Sequence, residues 1–267
     1  GLRASVVYYW GVDAQKQFTM DRHLVFPMLR TIPNNTHASW MPRCDVDFLK
    51  GMTANNRYMT QEEVKTVTID GILNVFSTIK GDGNEFELSR QYFPSTTNAG
   101  VCEKYTIKNV GKKKETVRVP SIYLIRTTNE EDGTRGRYAL VAHTGFEDDY
   151  KKTLEAGEST SFYCYIEAFA LSDDEKRPIT EGQAELEWRQ IFVDRVANRN
   201  LSFECPDETI RTLFQMSNIR ASESIFETQN GLMHAPGGES YYAAMWCNDQ
   251  AEYVNPFFPF LGYDKGN

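Results

Sequence analysis

The stretch Val64-Lys65-Thr66-Val67-Thr68-Ile69, Asp70-Gly71, Ile72-Leu73-Asn74-Val75-Phe76-Ser77-Thr78-Ile79, Gly81-Asp82-Gly83-Asn84, Glu85-Phe86-Glu87-Leu88-Ser89-Arg90-Gln91-Tyr92-Phe93 decides the fold class. Asp-Gly between two runs rich in Val, Ile and Thr is a strong hairpin signal, because both residues accept the backbone geometry of a tight turn. After the second turn, Phe86, Leu88 and Arg90 alternate with Glu85, Glu87, Ser89 and Gln91. That period of two is the mark of a half-buried strand. The same grammar extends over most of the first two thirds of the chain. Val101–Val110, Thr116–Arg126, Tyr138–His143 and Ser159–Ala170 are further predicted strands, with Lys112-Lys113-Lys114 in a solvated turn between two of them. Arg90 and Glu103 are expected to form a cross-strand pair. Many antiparallel strands of this length predict a large β-sandwich.

Near Pro178 the period changes. Thr180-Glu181-Gly182-Gln183 has the form of a capping box and predicts a helix start, with Trp188, Ile191, Phe192 and Val196 at helical spacing. A second helix is predicted from Pro206, with Asp207 and Glu208 in its first turn, where the dipole favours acids. Its expected inner stripe is Ile210, Leu213, Phe214, Ser217, Ala221 and Ile225, and Asn230-Gly231 is its expected stop. The segment Gly231–Gly262 reads as an aromatic loop rich in Gly and Pro, with His234 a polar residue in it.

Composition bounds the function classes. The chain has 267 residues, 40% hydrophobic and 25% charged, with a net charge of −8. A domain that repels phosphates overall is a poor sequence-independent nucleic-acid binder. No run approaches 18 apolar residues, so no transmembrane helix is expected. Cysteines 44, 102, 164, 205 and 247 are odd in number and far apart, and the four histidines are dispersed. Neither a disulfide framework nor a metal site is signalled, and no cofactor is expected. Cys164 reads as a buried small apolar residue. The chain opens without a Met, so compartment stays open, with a lean toward the periplasm or the cell exterior. Asn255-Pro256-Phe257-Phe258-Pro259-Phe260-Leu261-Gly262-Tyr263 packs apolar residues so densely that something must cover them. The expectation is a chain continuing into a larger protein; a tail folded onto its own domain is the alternative.

The run Gly231-Leu232-Met233-His234-Ala235-Pro236-Gly237-Gly238-Glu239-Ser240-Tyr241-Tyr242, followed by Ala243-Ala244-Met245-Trp246-Cys247-Asn248-Asp249-Gln250, resembles the entry to the (α/α)6 barrel of the six-hairpin glycosidases. This group contains glucoamylases, glycogen-debranching glucosidases and α-L-rhamnosidases. The resemblance implies a mainly β architecture: a sandwich over residues 1–175, linker helices over 176–230, and the start of a barrel over 231–267. It also implies a glycoside hydrolase, of bacterial type, acting on oligo- or polysaccharides through two carboxylates and no metal, with acid and base on later barrel helices. Its partners would be a carbohydrate substrate and the remainder of the same polypeptide, with neither nucleic acid nor membrane. Where glucoamylase-like members carry Arg before the Asp, this chain has Asn248, so the glycone does not carry over.

Five residues are candidate substrate contacts: Asp249, Trp246, Tyr242, Tyr241 and Glu252. Asp249 would accept hydrogen bonds from paired sugar hydroxyls, with helix capping or an Arg partner as the rival role. The aromatic rings would cover the apolar face of a pyranose, or equally pack in a core. Asp249 and Glu252 are three apart and would share a helix face, which suits contact better than acid–base work across a sugar. None of the five is assigned a catalytic role. A non-catalytic carbohydrate-binding or structural sandwich is the alternative.

Overall fold

The Asp70-Gly71 turn joins β7 (Gln61–Ile69) to β8 (Leu73–Gly81), in register Val67↔Val75. Gly71 takes φ +88°, which a side chain rarely adopts, and Asp70 Oδ1 accepts from the Ile72 amide at 3.3 Å and Asn74 Nδ2 at 3.1 Å. The second turn leads into β9 (Asn84–Pro94), where Phe86, Leu88 and Arg90 are buried and Glu87 is exposed, as the alternation predicts. The computed structural model describes residues 2–35, 38–81, 83–173, 178–199, 201–234, 247–248, 251–252 and 255–261.

Before this stretch lie β1 (Ser5–Val12) and β2 (Phe18–Arg30), paired as a hairpin, and the short β3 (Ser39–Trp40), β4 (Arg43–Cys44), β5 (Thr53–Ala54) and β6 (Arg57–Tyr58). After it come β10 (Gly100–Asn109), β11 (Glu115–Val119), β12 (Tyr123–Thr127), β13 (Tyr138–Thr144), β14 (Tyr150–Leu154) and β15 (Ser159–Ala170). The main sheet has the order β12-β13-β15-β10-β9-β8-β7, antiparallel throughout. Two four-stranded sheets, β1 to β4 and β14-β11-β5-β6, complete the β architecture. A continuous core joins them: Leu24 and Phe26 of the first, Val117 and Leu154 of the second, and Phe86, Ile107, Leu140 and Ile166 of the main sheet. Each fully buried aliphatic or Phe side chain in it contributes about 1.5–3 kcal/mol relative to exposure.

The predicted strand Thr116–Arg126 is two strands, β11 and β12, in different sheets. Pro120 separates them; it has no amide hydrogen to continue a ladder, and the chain changes layer there. The expected Arg90–Glu103 pair is also corrected. Arg90 instead makes a two-pronged ion pair with Glu62, its Nη2 donating to Oε2 at 2.9 Å. Glu103 accepts two bonds from Arg22 on β2, with Nη2 to Oε2 at 2.9 Å, and a third from the Tyr105 hydroxyl at 2.6 Å. Arg90 and Glu103 are thus each paired with another strand, Glu62 of β7 and Arg22 of β2, rather than with one another.

The outer face of the main sheet is covered by the linker and α1 (Gly182–Asp194): Phe93, Cys102 and Tyr165 pack with Ile179 and Leu186. The helix starts at Gly182 with Glu181 as its cap, and no side chain caps it. The Thr180-x-x-Gln183 box does not form; the Gln183 side chain is engaged elsewhere, its Oε1 accepting from the Tyr163 hydroxyl and its Nε2 donating to Glu187 at 2.8 Å. A π-helical turn, Arg195–Arg199, follows. Then comes α2 (Glu208–Glu223), where Asp207, expected in the first turn, is instead the cap: its Oδ1 accepts from the Thr209 amide at 2.8 Å and the Ile210 amide at 3.2 Å.

The expected inner stripe of α2 is displaced. Ile210 and Leu213 are exposed, while Asn218, Ile219 and Ser222 are buried. Trp188 and Ile191 of α1 are exposed as well. The helices pack through Val196, Ala197 and Ile219, and this contact, rather than the widest apolar stripe, sets their rotation. Ile225 lies beyond the helix, in β16 (Ile225–Thr228), which pairs with β17 (Gly231–His234). Asn230-Gly231 is therefore a hairpin turn, with Gly231 at φ +100°, and not a helix stop.

Candidate functional site

Tyr241, Tyr242, Trp246 and Asp249 lie outside the described residues; of the five predicted contacts, Glu252 alone is described, and it is exposed. Cys247, Asn248 and Ala251 are exposed beside it, in short helical pieces. The apolar run that follows is anchored at one point. Phe258, in the short helical turn Phe258–Leu261, is 3% exposed and packs with Ile225, beside Leu2, Ala221 and Leu232. The His234 ring meets it edge-on at 5.3 Å between centroids. His234 is thus a buried strand residue, not the polar loop residue expected. Phe260 is exposed.

Close to this anchor, the N-terminal hairpin, the β7–β8 turn and the two helices enclose a cleft of about 410 Å3. Its volume falls in the range of roughly 300–1,000 Å3 usual for small-molecule sites. One wall is aromatic and aliphatic: Tyr8 and Trp10 of β1, Leu73 and Tyr92 of the sheets, and Ile69 at the rim. Tyr8 and Tyr92 hold one another at 5.6 Å between centroids, and Trp10 is 40% exposed. The helices add Met216 and Ile219 and the charged part of the lining. Arg189 of α1 is buried and donates from Nε to the Gly71 carbonyl at 3.0 Å, and also to Glu223. Arg220 Nη1 donates to the other Glu223 oxygen at 2.9 Å.

One carboxylate therefore serves two guanidinium groups. Burial alone pushes the Glu223 pKa up, but Arg189 and Arg220 outweigh it and hold the carboxyl below its ordinary range. Arg220 differs from Arg189 in standing in water, its side chain 73% exposed. None of Trp10, Arg189, Arg220 and Glu223 was expected in a site from the sequence. They come from three elements far apart in the chain, and no local motif marks them.

A second, polar cavity of about 280 Å3 lies under the hairpin, lined by Arg22, Asp45, Asp47, Glu62 and Arg90 among others. Its charges are already engaged: Arg22 with Glu103, Arg90 with Glu62, Asp45 with Arg126, and Asp47 with the Leu49 amide. This is the wiring between layers. Among the described residues, no group of three or more His, Cys, Asp or Glu is placed to hold a metal ion, and no helix is long and apolar enough to cross a membrane. Cys44, Cys102 and Cys164 are buried thiols, the last as expected.

No protein-family model and no curated protein matches this sequence. A solved structure titled "Putative kojibiose phosphorylase from human microbiome" is similar to it over 97% of this chain and 39% of that chain, at 10% identity and a TM-score of 0.47. The chain thus spans well under half of that protein's length.

Proposed function

We propose that this chain is the sandwich-and-linker part of a carbohydrate-active protein, a two-carboxylate glycoside hydrolase in which residues 231–267 open the (α/α)6 barrel. The single supporting observation is the order of parts: antiparallel sheets to Ala170, two helices to Glu223, then exposed residues at Cys247–Asn248 and Ala251–Glu252. This is the order that the Trp246-x-x-Asp249 resemblance implies. In this reading Trp246, Tyr241 and Tyr242 offer flat rings to the apolar face of a sugar. Asp249 and Glu252 accept from its hydroxyls, and the charge on an ionised acceptor strengthens such bonds. The acid and base are contributed by other residues of the protein.

The test is calorimetric titration of the 267-residue chain with a panel of disaccharides, alongside an aryl-glycoside assay. Binding that Asp249→Asn or Trp246→Ala weakens at least tenfold, without turnover, is expected. Absence of binding across the panel, or binding indifferent to both substitutions, removes the proposal. Robust turnover by this chain would remove the assignment of acid and base to other residues.

A further inference from the structure

We infer that the cleft between β1 and α2 is a second saccharide site, one that takes a pyranose bearing a carboxylate, such as a hexuronate. The inference rests on the carbohydrate reading above and adds a site apart from Tyr241–Glu252. Two features of the cleft carry it. The first is Trp10, a broad ring 40% exposed, in a lining that also includes Tyr8 and Ile69. A flat aromatic face is a platform for the C–H face of a pyranose, and burying it against a ligand recovers apolar area now in water. The second is the charge count. Arg189, Arg220 and Glu223 are the charged residues of the lining, two cations to one anion.

Arg189 is consumed structurally, bonded to the Gly71 carbonyl and to Glu223. Arg220 spends one nitrogen, Nη1, on Glu223 and stands otherwise in water. A guanidinium has five donors in a planar fork, so its remaining edge suits a carboxylate bidentately. In a protein of net charge −8, a surplus cation in the cleft lining favours an anionic ligand over a neutral one there. Glu223, held ionised by its two arginines, keeps lone pairs for ring hydroxyls. Stacking on Trp10 would fix the ring, Arg220 the carboxylate, and Glu223 a hydroxyl.

The experiment titrates the 267-residue chain by calorimetry with digalacturonate, dimannuronate and cellobiouronate, each beside its uncharged counterpart. The proteins are wild type, Trp246→Ala/Asp249→Asn, and that double variant carrying Trp10→Ala or Arg220→Gln, each checked for folding by circular dichroism. The expected result is that an acidic disaccharide still binds the double variant, at least tenfold tighter than its neutral counterpart. Adding Trp10→Ala or Arg220→Gln then weakens it at least tenfold, and Arg220→Gln erases the preference for the acid. Binding lost entirely in the double variant overturns this site while leaving the carbohydrate reading intact. So does binding that survives both cleft substitutions, or equal affinity for acidic and neutral sugars. No binding of any sugar to the wild type overturns both.

Discussion

Glu103 is the residue on which the two layers converge. It is fully buried, accepts from Arg22 twice and from Tyr105 once, and Arg22 in turn donates to the Val46 carbonyl at 3.0 Å. Burying two charges is costly, and the geometry offsets that cost only while every partner is present. Glu103→Ala leaves Arg22 charged and buried, so urea denaturation should show a loss of about 3–5 kcal/mol. A loss below 1 kcal/mol would mean that water reaches the pair.

His143 acts at the same scale but with pH. Burial lowers its pKa; the hydrogen bond to Glu167 at 3.1 Å, the contact with the Thr144 carbonyl and the Glu167 charge outweigh this and leave it raised. Glu167 also accepts from the Ile179 amide at 3.0 Å, so the pair fastens the linker to the sheet. A raised folded pKa stabilises fully below the unfolded value, roughly 6.5, and that stabilisation fades as pH rises through the folded value. Unfolding free energy measured from pH 5.5 to 8.5 should therefore fall with pH through this group, and His143→Gln should flatten that fall. An unchanged slope in the variant would exclude the pair as its source.

At the scale of elements, Gly71 joins the sheet to the helices. A Cβ there would stand 2.5 Å from Val193 Cγ2, at a φ of +88°. Its carbonyl is also the acceptor for Arg189. Gly71→Ala should cost roughly 1–3 kcal/mol by overpacking. The loss should appear first as faster hydrogen exchange in α1 and α2, and exchange that speeds up only in β7 and β8 would contradict the role given to this contact. Alternation and turn chemistry made the β7–β9 meander legible because neighbours along the chain set it. The same local logic placed the start of α2 beside Asp207, though as a first-turn acid and not as the cap it is. It misread the rotation of α2, because an amphipathic pattern says that a face exists and not which neighbour it meets. It missed β16–β17 because four-residue strands are too short to show a period, and Asn-Gly serves a hairpin as readily as a helix end.

Across the whole molecule, Phe258 ties the end of the described chain to Ile225 of the β16–β17 hairpin and to Leu2 near its beginning. Phe258→Ala removes a ring that is almost fully buried, for a cost of about 3–5 kcal/mol in that local unit. Limited proteolysis should then cut between His234 and Phe258 faster than in the wild type, while the main sheet keeps its protection. Equal cleavage rates would show that the anchor contributes little. Of the candidate contacts, the sequence alone named the aromatic and acidic run ending at Glu252, since those residues are contiguous. The cleft could not be named from the sequence, since Trp10, Arg189 and Glu223 meet only when the hairpin, α1 and α2 are packed.

The amino-acid order by itself determined the antiparallel β architecture, the change to helix after Pro178, the turn at Asp70-Gly71 and the burial of Phe86, Leu88, Arg90 and Cys164. Each follows from local geometry: a two-residue period, a turn that tolerates positive φ, a switch to helical spacing. Tertiary structure decided which carboxylate meets which guanidinium, where the chain crosses between layers at Pro120, which face of α2 is buried and where the cleft opens. Those outcomes depend on contacts between residues distant in the chain, whose energies exist only after the layers have closed on one another.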